Sequence, residues 1–212
     1  MKMEKFKTIL ENSTAEIEEK KSRFIANIFY IESIKEAEEK IKEIRKKYFD
    51  AKHHCYAYRV IENDVIKERQ SDDGEPSGTA GAPMLNILNK NGLANIIVIV
   101  TRYFGGTLLG TGGLIRAYSE ATLRTIRDAK VVTQKMGYEL KVIIPYKDLE
   151  KFKYYCNKNM IQITNILYES DIICIIEINN EEKEKLISKN QKEIQILEYT
   201  VLREKYIRIN NE

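Results

Sequence analysis

Residues 94–121 read "ANIIVIVTRYFGGTLLGTGGLIRAYSEA". The run from Ile96 to Val100 is almost unbroken β-branched sequence, the pattern of a strand covered on both faces. Five of the chain's ten glycines then fall between Gly105 and Gly113. After them, apolar residues return at helical spacing. A helix is predicted from about Thr111 or Gly112, with Leu114, Ile115, Tyr118 and Ala121 turned inward. Strand, glycine loop and helix in this order belong to a mixed α+β fold.

The flanking segments fit that frame. "SRFIANIFYIES" (22–33) places Phe24, Ala26, Ile28 and Tyr30 on one face of a strand. Ile34, Ala37, Ile41, Ile44 and Tyr48 then recur at helical spacing, with Ser33 as the cap. "HHCYAYRVIE" (53–62) is a strand. "RQSDDGEPSGTAGAP" (69–83) is a loop rich in turn formers and carries Gly74, Gly78 and Gly81. A helix with Met84, Leu85 and Leu88 on its buried face follows, closed by Gly92.

Beyond Lys135 the pattern changes. "ELKVIIPY" is a strand, and "KDLEKFKYYCNKN" is a helix carrying Leu149, Phe152 and Tyr155 or Cys156. "IQITNILY" and "DIICIIEI" are strands joined at Glu169–Ser170–Asp171. "NEEKEKLISKN" is a helix capped by Asn180, and "IQILEYTVLREKYI" is a closing strand. The order βαββαβ is that of a ferredoxin-like domain. Two domains are expected, residues 1–134 and 135–212.

Composition sets bounds on function. The chain has 212 residues, 43% hydrophobic and 32% charged, with a net charge of +3. Up to residue 136 there are 23 basic and 19 acidic residues, and beyond it 12 and 13, so the first part is slightly basic. Such a balance does not by itself announce nucleic acid. Three cysteines without a Cys-x-x-Cys pair argue against a disulfide framework. No apolar signal core or membrane-length run is seen, which points to a cytoplasmic protein without membrane contact.

Glycines gather where backbone takes unusual angles or approaches something closely. "GGTLLGTGG" (105–113) at a helix start offers unpaired N–H groups to an anion, with Arg102 and Arg116 as forked donors. It lacks the lysine of a Walker loop and the spacing of a dinucleotide fingerprint. The bland alternative is a tight strand-to-helix packing turn. Upstream, Asp72, Asp73 and Glu75 sit beside Ser77 and Thr79. They are read either as a surface turn and helix cap or as Mg²⁺ ligands. His53 and His54 point to opposite strand faces, and nothing spaced to complete a zinc site accompanies them.

"HHCYAYR", "SDDGEPSGTAG" and "VTRYFGGTLLGTGGLIRAYSEA" together resemble the YigZ/IMPACT family, although a tryptophan is usual there where Tyr56 stands. The resemblance implies a first domain of the ribosomal protein S5 domain 2-like fold and a ferredoxin-like second domain. It also implies a part in translation. Eukaryotic members act through the general amino-acid control kinase by way of an added RWD domain, and that partner is not carried over.

The site expected from residues and resemblance together is one cleft. It is lined by Arg102, Tyr103, Gly105, Gly106, Gly110, Gly112, Gly113, Arg116, His53 and His54, with Asp72, Asp73, Glu75, Ser77 and Thr79 beside them. The expected function is non-catalytic binding of RNA or the ribosome, without metal or cofactor, with a protein partner in translational control as a further reading. The competing expectation is a Mg²⁺-dependent enzyme acting on a phosphorylated small molecule or nucleotide.

Overall fold

A computed structural model of the chain describes residues 4–188 and 194–209. It divides into two compact units that meet in sequence at Val132 and Thr133.

The first unit is built on β2 (Ser13–Glu19), β3 (Ser22–Tyr30), β4 (His53–Glu62), β5 (Val65–Ser71) and β6 (Ile96–Tyr103), after a short β1 (Lys5–Ile9). The five form one sheet in the order β2-β3-β6-β4-β5, every neighbour antiparallel. Helix α1 (Ile34–Lys47) covers one face, while α2 (Gly81–Lys90) and α3 (Gly110–Asp128) cover the other. The unbroken apolar run of β6 follows from this: Val98 and Val100 meet α2 and α3, and Ile97 and Ile99 meet the α1 side. Burying each such side chain contributes about 1.5–3 kcal/mol.

The caps follow local chemistry. The Ser33 hydroxyl accepts from the Glu36 N–H at 3.1 Å and starts α1. Gly92 has φ +64° after α2, and the Leu93 N–H returns to the Leu88 carbonyl at 3.0 Å, a closing bond that a left-handed residue makes possible. Helix α3 begins at Gly110, slightly earlier than its spacing predicts. Ile115, expected inward from its spacing, is 40% exposed, while Leu114, Ala117, Tyr118 and Ala121 form the buried stripe.

Strands β1, β2 and β5 are not predicted from the spacing, and Arg69–Ser71 belong to β5 rather than to the loop. The β2–β3 and β4–β5 turns explain part of this. Both are two-residue turns with positive φ at both positions, Lys20 and Lys21 in one and Asn63 and Asp64 in the other, with no glycine to flag them.

The second unit runs β7 (Val131–Ile144), α4 (Leu149–Lys158), β8 (Gln162–Tyr168), β9 (Ile172–Asn179), α5 (Asn180–Ile187) and β10 (Glu198–Ile209). Its strands lie β10-β7-β9-β8, all antiparallel. Leu140, Val142, Cys174 and Ile176 pack on Phe152, Cys156 and Leu186. Strand β7 starts well before "ELKVIIPY" because residues from Thr133 onward pair with β10. The cap of α5 is Asn179, whose side chain accepts from the Glu182 N–H at 2.9 Å, one residue before the predicted Asn180.

Candidate functional site

The motif residues meet at one end of the first unit's sheet. Antiparallel pairing puts the start of β4 beside the end of β6, His53 opposite Arg102 and His54 opposite Thr101. The end of β6 lies beside the start of β3, Arg23 opposite Tyr103. Four loops therefore gather there: the Lys20–Lys21 turn, residues 48–52, residues 72–80 and residues 104–109.

Beneath the loops lies a closed polar cluster. The Glu75 carboxylate accepts from the Arg102 guanidinium and from the Tyr118 hydroxyl, each at 2.8 Å. The side chains of Arg102 and Glu75 are only 7% and 3% exposed. Arg102 also donates to the Ser22 hydroxyl at 3.4 Å and lies 5.4 Å from the centre of the Phe24 ring, while its Nε has no hydrogen-bond partner among the described residues. The Cys55 thiol donates to the Asp72 carbonyl at 2.9 Å, and burial pushes its pKa up to about 12. Burial also drives the Tyr118 hydroxyl far above its ordinary range. Both groups stay protonated at neutral pH, so the cluster is a neutralised ion pair with hydrogen bonds, not a reactive nucleophile.

The acidic loop is equally engaged. One Asp72 carboxylate accepts the N–H groups of Gly78, Ala80 and Gly81 at 2.8, 3.0 and 2.9 Å. Burial works to raise its pKa, but these three donors outweigh it and hold it below the ordinary aspartate value. Asp72 thus caps the start of α2. The Asp73 carboxylate accepts from the His54 N–H at 2.7 Å and pairs with Arg45 of α1. Thr79 is buried and donates to the Pro76 carbonyl at 2.7 Å, whereas Ser77 is exposed. Among the described residues no group of three or more His, Cys, Asp or Glu could hold a metal ion.

The histidines separate as their alternation requires. The His53 ring meets the Asp73 carbonyl at 2.9 Å on the α2–α3 side, beside Gly74. His54 lies buried, 3.1 Å from the Thr101 hydroxyl. Burial, aided by the Arg45 charge, lowers its pKa.

The glycines divide by task. A Cβ on Gly105 would stand 2.0 Å from the Lys21 carbonyl carbon, and its N–H donates to Ser22 at 3.1 Å, so Gly105 is a packing glycine. A Cβ on Gly113 would lie 2.9 Å from that of Leu109. Gly106 and Gly110 have φ of +83° and +69° with open space around them. Gly112 is also open, with an Arg116 nitrogen 3.7 Å from where its Cβ would be. Leu109, the residue before α3, makes no side-chain cap hydrogen bond. The outward face of the loop therefore presents a bare helix start and the exposed Arg116 guanidinium.

Tyr103 faces the α1 side and donates to Asp50 at 2.7 Å, which pushes its pKa up to about 12. Around the gathered loops, Lys20, Lys21, Lys46, Lys52 and Arg116 are exposed and form no ion pair among the described residues, and Lys47 lies over the Tyr48 ring. Motif and spacing do not single out these lysines, nor Arg45, Ser22 or the cluster role of Tyr118. Only the turn "KK" before Ser22 and the basic end of α1 hinted at them.

Comparison with known proteins adds the following. A family model described as the Impact N-terminal domain matches residues 20–126. The chain is 39% identical over 165 residues to IMPACT family member YvyE of Bacillus subtilis (strain 168), covering 78% of this chain and 76% of the relative. It is 33% identical over 177 residues to an IMPACT family member of Haemophilus influenzae, covering 82% and 85%. One crystal structure, described as that of a hypothetical protein, superposes with a TM-score of 0.61 at 30% identity, over 92% of this chain and 97% of that one. No helix among the described residues is long and apolar enough to cross a membrane.

Proposed function

The chain belongs to the IMPACT family, and we propose that it is a translation-associated regulatory protein that binds RNA, free or within the ribosome, through the loop end of its first unit and without catalysis. One observation carries this reading. Of the carboxylates in the four loops, Asp73 and Glu75 are matched by arginines, Asp72 by backbone N–H groups and Asp50 by a tyrosine hydroxyl. Among the described residues, the exposed Lys20, Lys21, Lys46, Lys52 and Arg116 have no such match. The overall charge is small, yet this end offers a locally basic surface of the kind that holds phosphates.

The same bookkeeping speaks against Mg²⁺-dependent phosphate chemistry at Asp72, Asp73 and Glu75, whose oxygens already serve the fold. The family resemblance supports the link to translation. It also supports reading residues 1–134 as S5 domain 2-like, and the strand order β10-β7-β9-β8 supports reading residues 135–212 as ferredoxin-like. The protein is read as cytoplasmic, with no cofactor.

The test is co-sedimentation with ribosomes, with RNA binding measured in parallel. The wild-type chain should bind at low salt, and a Lys20→Ala/Lys21→Ala/Arg116→Ala variant should lose most of that binding with its melting temperature unchanged. Unaltered binding by the variant would remove this surface from the function.

A further inference from the structure

From the aromatic residues at the same end, and resting on the RNA-binding reading above, we infer that the RNA held there is unpaired. Phe49 is 84% exposed, Phe104 55% and Leu108 82%. Rings exposed at loop tips leave apolar surface in water that a bound partner would cover. Phe49 and Phe104 are the chain neighbours of Asp50 and Tyr103, which are joined by a 2.7 Å hydrogen bond. The two exposed rings therefore flank one fixed contact.

Their backbones are held. The Ala51 N–H returns to the Tyr48 carbonyl at 3.0 Å, closing the turn that carries Phe49. Phe104 precedes Gly105, which is locked against Lys21 and Ser22. The Arg102 guanidinium stands 5.6 Å from the centre of the Phe104 ring. A ring backed by a buried cation and open elsewhere is a preset stacking platform. Beside both rings lie cations that form no ion pair among the described residues: Lys46 and Lys52 near Phe49, and Lys20, Lys21 and Arg116 around the loop that carries Phe104.

The pairing of phosphate-binding cations with open rings separates two kinds of RNA. In a duplex the base faces are stacked on one another, so only the cations would be used. In a single strand the bases are free to stack on Phe49 and Phe104, and every base has such a face. The cations select a polyanion, and the rings select one with free bases. An anionic lipid surface would use the same charges, but it fits Phe104 less well, because the ring stands over a guanidinium fixed to Glu75.

The experiment uses the full chain and fluorescence anisotropy with a labelled 12-nucleotide oligouridine and a labelled 12-base-pair RNA duplex, at one salt concentration. The single strand should bind about tenfold or more tightly than the duplex. Phe49→Ala and Phe104→Ala should each reduce single-strand affinity about tenfold and leave duplex affinity unchanged, and Phe104→Trp should restore it. Equal affinity for the two RNAs, or equal losses on both, would overturn this inference and leave the function above standing. Binding to neither RNA would overturn this inference, and the function above would fall with it only if co-sedimentation with ribosomes were also absent. Binding to phosphatidylglycerol vesicles that the two alanine variants abolish, without any preference for the single strand, would assign the rings to a membrane instead.

Discussion

The motif of the first unit has an inner and an outer half, and the two are built for different purposes. Glu75, Arg102, Tyr118, Asp72, Gly105 and Gly113 point inward, where their charges and close contacts are used up by the fold. Phe104, Gly106, Leu108, Gly110, Gly112 and Arg116 point outward, with open space or solvent around them. The two halves alternate within a few residues of chain. Glycine and charge together therefore do not mark a ligand site residue by residue. One arginine of the motif builds the platform, and the other is left free to use it.

Substitutions in the two halves should break apart sharply. The largest effect is expected at the ion pair. Arg102→Ala leaves the Glu75 carboxylate buried without its cation and should cost about 3–5 kcal/mol in denaturant unfolding. Gly105→Ala drives a methyl group into the Lys21 backbone and should cost ~3 kcal/mol, at the upper end of overpacking effects. Asp72→Ala removes the acceptor for three N–H groups at the start of α2 and should cost about 1–2 kcal/mol. If any of these variants were as stable as wild type, the inner half would not be structural.

A smaller effect concerns pH. The folded pKa of His54 lies below its ordinary value of 6.5, because burial disfavours the charged ring. The unfolded chain therefore binds its proton first as pH falls, so the stability held above that value declines as pH drops towards the folded pKa. Stability should be lower at pH 5 than at pH 7, and His54→Gln should flatten the slope. At the outer end of the scale, Arg116→Ala should change stability by no more than about 0.5 kcal/mol.

Much of the fold is legible in the sequence. β6 announces itself because a strand between two helix layers has no polar side to show, and α1 because its stripe and the Ser33 cap agree. Ile115 misleads because helical spacing alone does not say where the buried arc ends; Tyr118 and Leu114 define an arc that excludes it. Strand β5 is hidden because an edge strand with no buried residue on either face carries Lys67, Glu68 and Arg69, and its turn uses Asn63 and Asp64 in place of glycine. The site's membership is readable from the glycines, arginines and acids. Its division of labour is not, because the pairing of Glu75 with Arg102 spans 27 residues and depends on how β4 and β6 register. The unpaired lysines come together only when four separate loops meet.

The most direct test of this division is the salt dependence of RNA affinity for Arg116→Ala. Each lost phosphate contact should flatten the slope of log affinity against log salt by about one unit. Arg116→Ala should show a shallower slope with an unchanged melting temperature. A wild-type slope in this variant would contradict it and place the phosphate contacts on another surface.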